Sequence, residues 1–333
     1  MSERANRLSR RTKCIITTVS VVFILYVILV NVLVSAALVP SFMRRLDKFQ
    51  QITDKSISEQ VHTQDIEVNS DSQLSETDAW LADCEAIKYS MKNADGYNLI
   101  GMCFPADAET HSWAVLLHGY TGCKEEMYRY AYWYHKRGFN VLVPDLRAQG
   151  ESEGRYIGMG YTDAADVLEW IDRAVLKTDP EAKIVLQGQS MGAACALMMS
   201  GMTELPANVA AVVSDCAYTD AYSMFRYKIK DWFGLPAFPI VDSAAIALRL
   251  RGGYDLRMAS ALDAVRGDRL PTLIIHGNED KLIPVSMAYE LFNACAAEQK
   301  ELLIIRGAGH AQAADKDPDA FYGAIGDLLD SVF

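Results

Sequence analysis

Ten residues, Lys183–Gly192 (KIVLQGQSMG), limit what this chain can fold into more than any other stretch. Ile184, Val185 and Leu186 form the short apolar run of a strand buried on both faces. Gly188-Gln189-Ser190-Met191-Gly192 follows at once, a G-x-S-x-G, and the Ala-rich Ala193–Ser200 reads as a buried helix. A strand that passes into a helix through a single serine must turn sharply. The serine then takes a strained backbone conformation, and a side chain at Gly188 or Gly192 would collide with the neighbouring helix or strand. Oγ is lifted clear of the sheet, and the N–H groups at the start of the helix face it. The pattern predicts Ser190 as a nucleophile and Gly188 and Gly192 as its elbow glycines.

The rest of the chain alternates in the same style. Cys84–Met91 and Tyr97–Phe104 flank Asn93-Ala94-Asp95-Gly96, a hairpin signal. Strands are then expected at Trp113–Leu117, Phe139–Val143, Val209–Val213, Thr272–Ile275 and Leu302–Ile305, besides the elbow strand. Helices are expected at Lys124–Arg137, Thr162–Lys177, Val285–Ala297 and Phe321–Phe333. Such alternation predicts an α/β fold with a mostly parallel sheet covered by helices on both faces. Residues 217–268 break the rhythm: they carry Tyr218, Tyr222, Phe225, Tyr227, Trp232, Phe233, Phe238 and Tyr254 and no clear strand. An insertion there forms a cap over the strand ends; the competing reading is surface helices that bury their aromatics on the sheet.

Before this domain lies a different kind of sequence. Residues 1–13 are a basic tail with Arg4, Arg7, Arg10, Arg11 and Lys13, and residues 14–43 carry no charge. The apolar run Ile15–Leu38 exceeds the ~20 residues that cross a bilayer and the roughly 7–15 of a signal-peptide core. Ser35-Ala36-Ala37 could serve as a cleavage site, and a buried core helix is the other rival. The basic residues ahead of the run favour a transmembrane signal anchor, with the tail cytosolic and the domain outside. Residues 44–82 are polar and free of glycine and proline, a stalk or linker, and residues 83–333 form the catalytic-type domain.

A serine hydroxyl needs a base, and the base needs a group to orient it. Among the six histidines, His62 falls in the stalk, His111 in a polar turn, and His135 beside Lys136 and Arg137 on an expected helix surface. His118 and His276 each end a strand before a glycine. His310, in the loop Arg306-Gly307-Ala308-Gly309-His310, has the chain position of the base in the order Ser, acid, His. Asp280, at the end of the strand that closes with His276-Gly277, is the matching acid, with Glu279 and Asp215 as rivals. For an oxyanion hole the donors are the N–H groups of Met191 and of Tyr120, the latter in the loop His118-Gly119-Tyr120-Thr121-Gly122. His118 is expected to support that loop from beneath. The seven cysteines show no metal-binding spacing and read as free thiols. A net charge of −11 excludes nucleic acid as a partner.

Together these pieces resemble the α/β-hydrolase superfamily, in its esterase, lipase and peptidase-like branch. The matching residues are His118-Gly119, Asp145–Ser152, the elbow at Ser190, His276–Asp280 with Ile283-Pro284, and Gly309-His310. Ala148 and Gln149 depart from the usual Asp-x-Arg-Gly-x-Gly-x-Ser. The resemblance implies an eight-stranded α/β-hydrolase fold with a helical cap, a Ser190–Asp280–His310 triad and an acyl-enzyme mechanism without cofactor or metal. It makes a carboxylic ester, or a related small or lipid-like acyl compound, the expected substrate. A peptidase or acyltransferase of the same fold is the alternative, and a catalytically silent binding protein is the alternative of another class.

Overall fold

The computed structural model describes residues 10–43 and 71–333. The start of the expected basic tail and residues 44–70 of the expected stalk, His62 among them, lie outside the described residues.

The core is one eight-stranded sheet: β1 (Ile87–Lys92), β2 (Asn98–Phe104), β3 (Ser112–Leu117), β4 (Asn140–Pro144), β5 (Lys183–Gln189), β6 (Val209–Asp215), β7 (Thr272–Gly277) and β8 (Lys300–Ile305). The spatial order is β1-β2-β4-β3-β5-β6-β7-β8. β2 runs antiparallel to both its neighbours, and β4 to β8 with β3 are parallel throughout. Strand periodicity splits the apolar residues between two layers. Trp113, Val115, Leu117, Ile184 and Leu186 face one side, and Ala114, Leu116, Val185, Val213 and Ile275 the other. This double burial explains why the central strands read as continuous apolar runs rather than alternating ones.

Helices cover both faces. In chain order they are α1 (Arg10–Leu38), α2 (Asp71–Asp83), α3 (Tyr128–Lys136), α4 (Tyr161–Trp170), α5 (Met191–Ser200), α6 (Ala221–Phe233), α7 (Ala237–Gly252), α8 (Ala261–Ala264), α9 (Ser286–Ala294), α10 (Ala313–Lys316) and α11 (Pro318–Val332). Every residue of α5 is buried, as a helix that is apolar on all sides requires. α4 continues as a wider π-helical turn over Ile171–Leu176 where the sequence suggested one unbroken helix.

Two expectations need correction. His135 is buried, not on the surface, because its Nε2 meets the Pro105 carbonyl at 3.0 Å and its ring lies 5.2 Å from Trp80. Trp80 belongs to α2, so the end of the polar segment is a helix laid on the domain, with Trp80 also 4.9 Å from Phe104.

Between β6 and β7 the chain forms the helical cap, with α6 and α7 as its main elements. The Tyr222 hydroxyl joins the two by donating to Asp242 at 2.7 Å. Tyr218 and Tyr254 are buried and donate to the carbonyls of Met159 and Ile157, which suspends the cap from the segment before α4. α1 runs alongside α7: the Tyr26 hydroxyl pairs with Ser243 Oγ at 2.8 Å, and Arg251 donates to the Asn31 carbonyl at 3.0 Å and Ser35 Oγ at 2.8 Å.

Asp163, in the first turn of α4, is fully buried; one oxygen accepts from Gly160 N–H at 2.7 Å and the other has no partner among the described residues. Burial, against the pull of Arg147, pushes its carboxyl up to about 7. A raised carboxyl contributes full stability below its unfolded value and loses it as pH rises through the folded one. Asp163→Asn keeps the acceptor and removes the titration. The variant should therefore gain melting temperature relative to the parent between roughly pH 4 and pH 7. A difference that does not change with pH would contradict this.

Candidate active site

Ser190 stands between β5 and α5 with φ 55° and ψ −114°, a conformation disfavoured for any L-residue. Two bonds hold it there: Ser190 N–H donates to the Asp215 carbonyl at 2.7 Å, and its own carbonyl accepts from Ala194 at 3.0 Å. The flanking glycines are required by close approach. A Cβ on Gly188 would lie 2.1 Å from the Gly192 carbonyl oxygen, and one on Gly192 would lie 2.1 Å from the Leu117 carbonyl oxygen. Helix α5 thus packs directly on the backbone at the ends of β3 and β5. Thr121, Cys216 and Ala311 also have positive φ, so backbone strain gathers in the loops around this serine.

Three loops at the carboxyl ends of parallel strands bring the polar groups together. The Ser190 hydroxyl lies 2.9 Å from His310 Nε2, and His310 Nδ1 lies 2.7 Å from Asp280 Oδ2. With Nδ1–H donating to the carboxylate, Nε2 is left to accept from the serine. The other oxygen of Asp280 accepts from the N–H groups of Leu282 and Ile283, both at 2.8 Å. Burial opposes ionisation of Asp280, yet hydrogen bonds from His276 and His310 and from the Ile283 N–H hold it well below the usual carboxylate range. It is an anion placed to orient an imidazole.

The rivals for the acid lie elsewhere. Glu279 is exposed, and Asp215 points its Oδ2 at Gln189 Nε2, 3.2 Å away, with burial raising its carboxyl. His118 is fully buried: its Nε2 accepts from Leu146 N–H at 2.9 Å and its Nδ1 donates to the Gly119 carbonyl at 2.8 Å. It braces the loop over Ser190, where a Cβ on Gly119 would sit 3.4 Å from Ser190 Cβ. Beyond Gly119 the N–H of Tyr120 has no acceptor among the described residues, and neither has that of Met191. The Tyr120 side chain turns away and donates its hydroxyl to the Ala37 carbonyl at the end of α1.

Sequence reasoning missed two participants. His276 Nε2 bonds the Ile283 carbonyl at 2.9 Å and approaches Asp280 Oδ2 at 3.2 Å, adding a second imidazole to the carboxylate. Its position four residues before Asp280 was the available signal. Lys124 is buried, with its ammonium on Asp145 at 2.9 Å and Glu151 at 2.8 Å, and it locks the loop after β4 to the turn after the Tyr120 loop. Nothing local marks that lysine as buried. Ala148, where the resemblance expects glycine, keeps a positive φ of 62°, so the departure changes the residue and not the loop.

Ligand atoms of Cys216, Asp280 and His310 lie within 4.8 Å of one another, the spacing of a metal site. The set does not suit one: Asp280 and His310 are already bonded to each other, and burial pushes the Cys216 thiol well above its usual range. Chemically the arrangement is a hydroxyl, a base and an orienting anion beside two free backbone donors.

Comparison with known proteins places this geometry. A family model described as alpha/beta hydrolase fold matches residues 115–240, and one described as serine aminopeptidase, S33, matches residues 238–317. The chain belongs to the α/β-hydrolase superfamily. It is 27% identical over 248 residues to the uncharacterized protein YqkD of Bacillus subtilis, covering 74% of this chain and 80% of that one. In structure it is similar to an esterase of Pyrococcus furiosus, with TM-score 0.59, 22% identity and coverage of 75% and 92%. It is also similar to an acylaminoacyl peptidase of Pyrococcus horikoshii, with TM-score 0.56, 18% identity and coverage of 76% and 43%. The protein is a hydrolase-fold member whose serine loop, acid loop and histidine loop follow the expected order.

The elbow glycines give a direct test of this packing. Gly192→Ala forces backbone apart and should cost about 1–3 kcal/mol, a fall of roughly 2–4 °C in melting temperature per kcal/mol. Gly323→Ala, in α11 with open space around it, should raise the melting temperature instead, since alanine is about 1 kcal/mol better in a helix. Equal shifts for the two variants would contradict the account.

Proposed function

We propose that the protein is a serine hydrolase that cleaves a carboxylic ester through an acyl-enzyme on Ser190. The reading is carried by the continuous relay of Ser190 Oγ to His310 Nε2 at 2.9 Å and His310 Nδ1 to Asp280 at 2.7 Å. His310 takes the serine proton as Oγ attacks the carbonyl carbon. The N–H groups of Tyr120 and Met191 receive the oxyanion, helped by the N-terminus of α5. His310 then protonates the leaving alcohol, and water repeats the cycle on the acyl-enzyme. Asp280 holds the imidazole in one tautomer and stabilises it when charged.

A peptidase is the second reading, favoured by the serine aminopeptidase match over residues 238–317. A peptide with a free amino terminus needs an anion to receive it. Of the buried acids near Ser190, Asp280 is held by two imidazoles, whereas Asp215 meets Gln189 with one oxygen and leaves the other without a partner among the described residues.

We read α1 as a bilayer-spanning anchor. It is 29 residues long with mean hydropathy 2.8 over its most apolar stretch, and Ile15, Val19, Val22, Phe23 and Leu25 are each about half exposed or more. A core helix of a water-soluble protein would bury them. The basic residues at its start put that end in the cytosol and the hydrolase domain on the extracytoplasmic side.

A fluorophosphonate probe should label the parent protein and not Ser190→Ala. Ser190→Ala should lower kcat on p-nitrophenyl esters about a millionfold, and Asp280→Asn about 10,000-fold. Labelling elsewhere in the chain, or near-normal turnover in either variant, would refute the assignment. Faster cleavage of aminoacyl amides than of any ester would establish the peptidase reading.

A further inference from the structure

The docking of α1 on the cap has a consequence for where the substrate comes from. α1 and α7 run parallel: Tyr26 pairs with Ser243, and further along Asn31 and Ser35 pair with Arg251. Tyr26, Val30, Val34 and Leu38 recur every fourth residue, and the last three are buried. About 20 residues cover the ~30 Å hydrocarbon core, which, counted from Lys13, extends to about Leu33. Tyr26 therefore lies inside the span, and Ser243 lies beside it. If α1 crosses the bilayer, the first half of α7 and the turn before it enter the hydrocarbon core from the extracytoplasmic leaflet.

The cap is chemically suited to that position. From Trp232 to Val241 the sequence WFGLPAFPIV carries no charge. Leu235 and Phe238 are exposed at 40% and 71%, and on the outer face of α7 Ile246 and Leu250 are exposed at 59% and 83%. These residues add apolar surface to that of α1, and water would be a poor solvent for both. Of the neighbouring charges, Asp242 accepts from Arg257 at 2.9 Å and from Tyr222 at 2.7 Å, and Asp231 pairs with Lys228 at 2.8 Å, while the exposed Lys230 and Arg249 are on long side chains that can reach toward the headgroups. The same helix reaches the reacting centre, because the carbonyl of Ala37 accepts the hydroxyl of Tyr120 in the loop over Ser190.

We propose that the cap seats in the bilayer beside α1, through Leu235, Phe238, Ile246 and Leu250, and that the substrate is a long-chain acyl ester delivered from that leaflet. The substrate half of this statement rests on the esterase reading of Ser190. The seating half does not. A lipid ester would then reach the serine from the membrane side of the cap, with no transfer through water.

The full chain would be reconstituted in phosphatidylcholine vesicles doped with a phosphatidylcholine whose acyl chain carries a diazirine, irradiated, and mapped by peptide mass spectrometry. Label is expected in α1 and also between Leu235 and Leu250; label confined to α1 would overturn the seating. The double variant Phe238→Glu with Leu250→Glu should lose at least about tenfold in hydrolysis of p-nitrophenyl palmitate dissolved in the vesicles, since charges are expelled from hydrocarbon. Its turnover of soluble p-nitrophenyl acetate should not change. Equal loss on both esters, or none on either, would overturn delivery from the leaflet. Hydrolysis of no ester at all would refute the catalytic reading, and the photolabelling pattern would still decide the seating.

Discussion

The backbone of Ser190 is the constraint on which the rest of the structure depends. Its φ of 55° and ψ of −114° are unfavourable, and they persist because β5 and α5 are both locked in place. Gly188 and Gly192 let the two elements touch backbone to backbone, and the Asp215 carbonyl holds the serine N–H at 2.7 Å. Removing either support would let the turn relax and would drop Oγ away from His310. The full burial of α5 has the same cause, since a helix starting at this turn has the sheet on one side and α4 and α8 on the other.

The acid and the base are organised by similar logic but with electrostatics in place of sterics. Asp280 is buried, which alone would neutralise it. Two backbone N–H groups and two imidazoles keep it ionised. The resulting carboxylate fixes His310, and His310 in turn meets the serine. Each step depends on the previous group staying in one protonation state and one orientation. The α1 helix adds a further level: its end touches the Tyr120 loop and its middle holds the cap.

Much of this was legible in the sequence, and the reasons are local. The elbow could be read because strand, glycines, serine and helix are contiguous. His310 and Asp280 could be read because each follows a recognisable strand in a fixed chain order. What could not be read depends on contacts between distant segments. His135 looked exposed beside Lys136 and Arg137, yet a tryptophan from α2 and the Pro105 carbonyl bury it. α7 gave no clean amphipathic signal because it has three environments: Ala245 and Leu248 face the core, Ser243 and Arg251 face α1, and Ile246 and Leu250 face outward. Lys124 is buried only because Asp145 and Glu151 converge on it from the loop after β4.

The central claim is that Ser190 carries the acyl group during turnover, and trapping that intermediate tests it most directly. The protein would be mixed rapidly with a slowly deacylated p-nitrophenyl ester, quenched in acid, and its peptides weighed. The account predicts a burst of p-nitrophenol matching the amount of enzyme and an acyl adduct on the peptide that holds Ser190. Linear release with no adduct, or an adduct on any other residue, would contradict it.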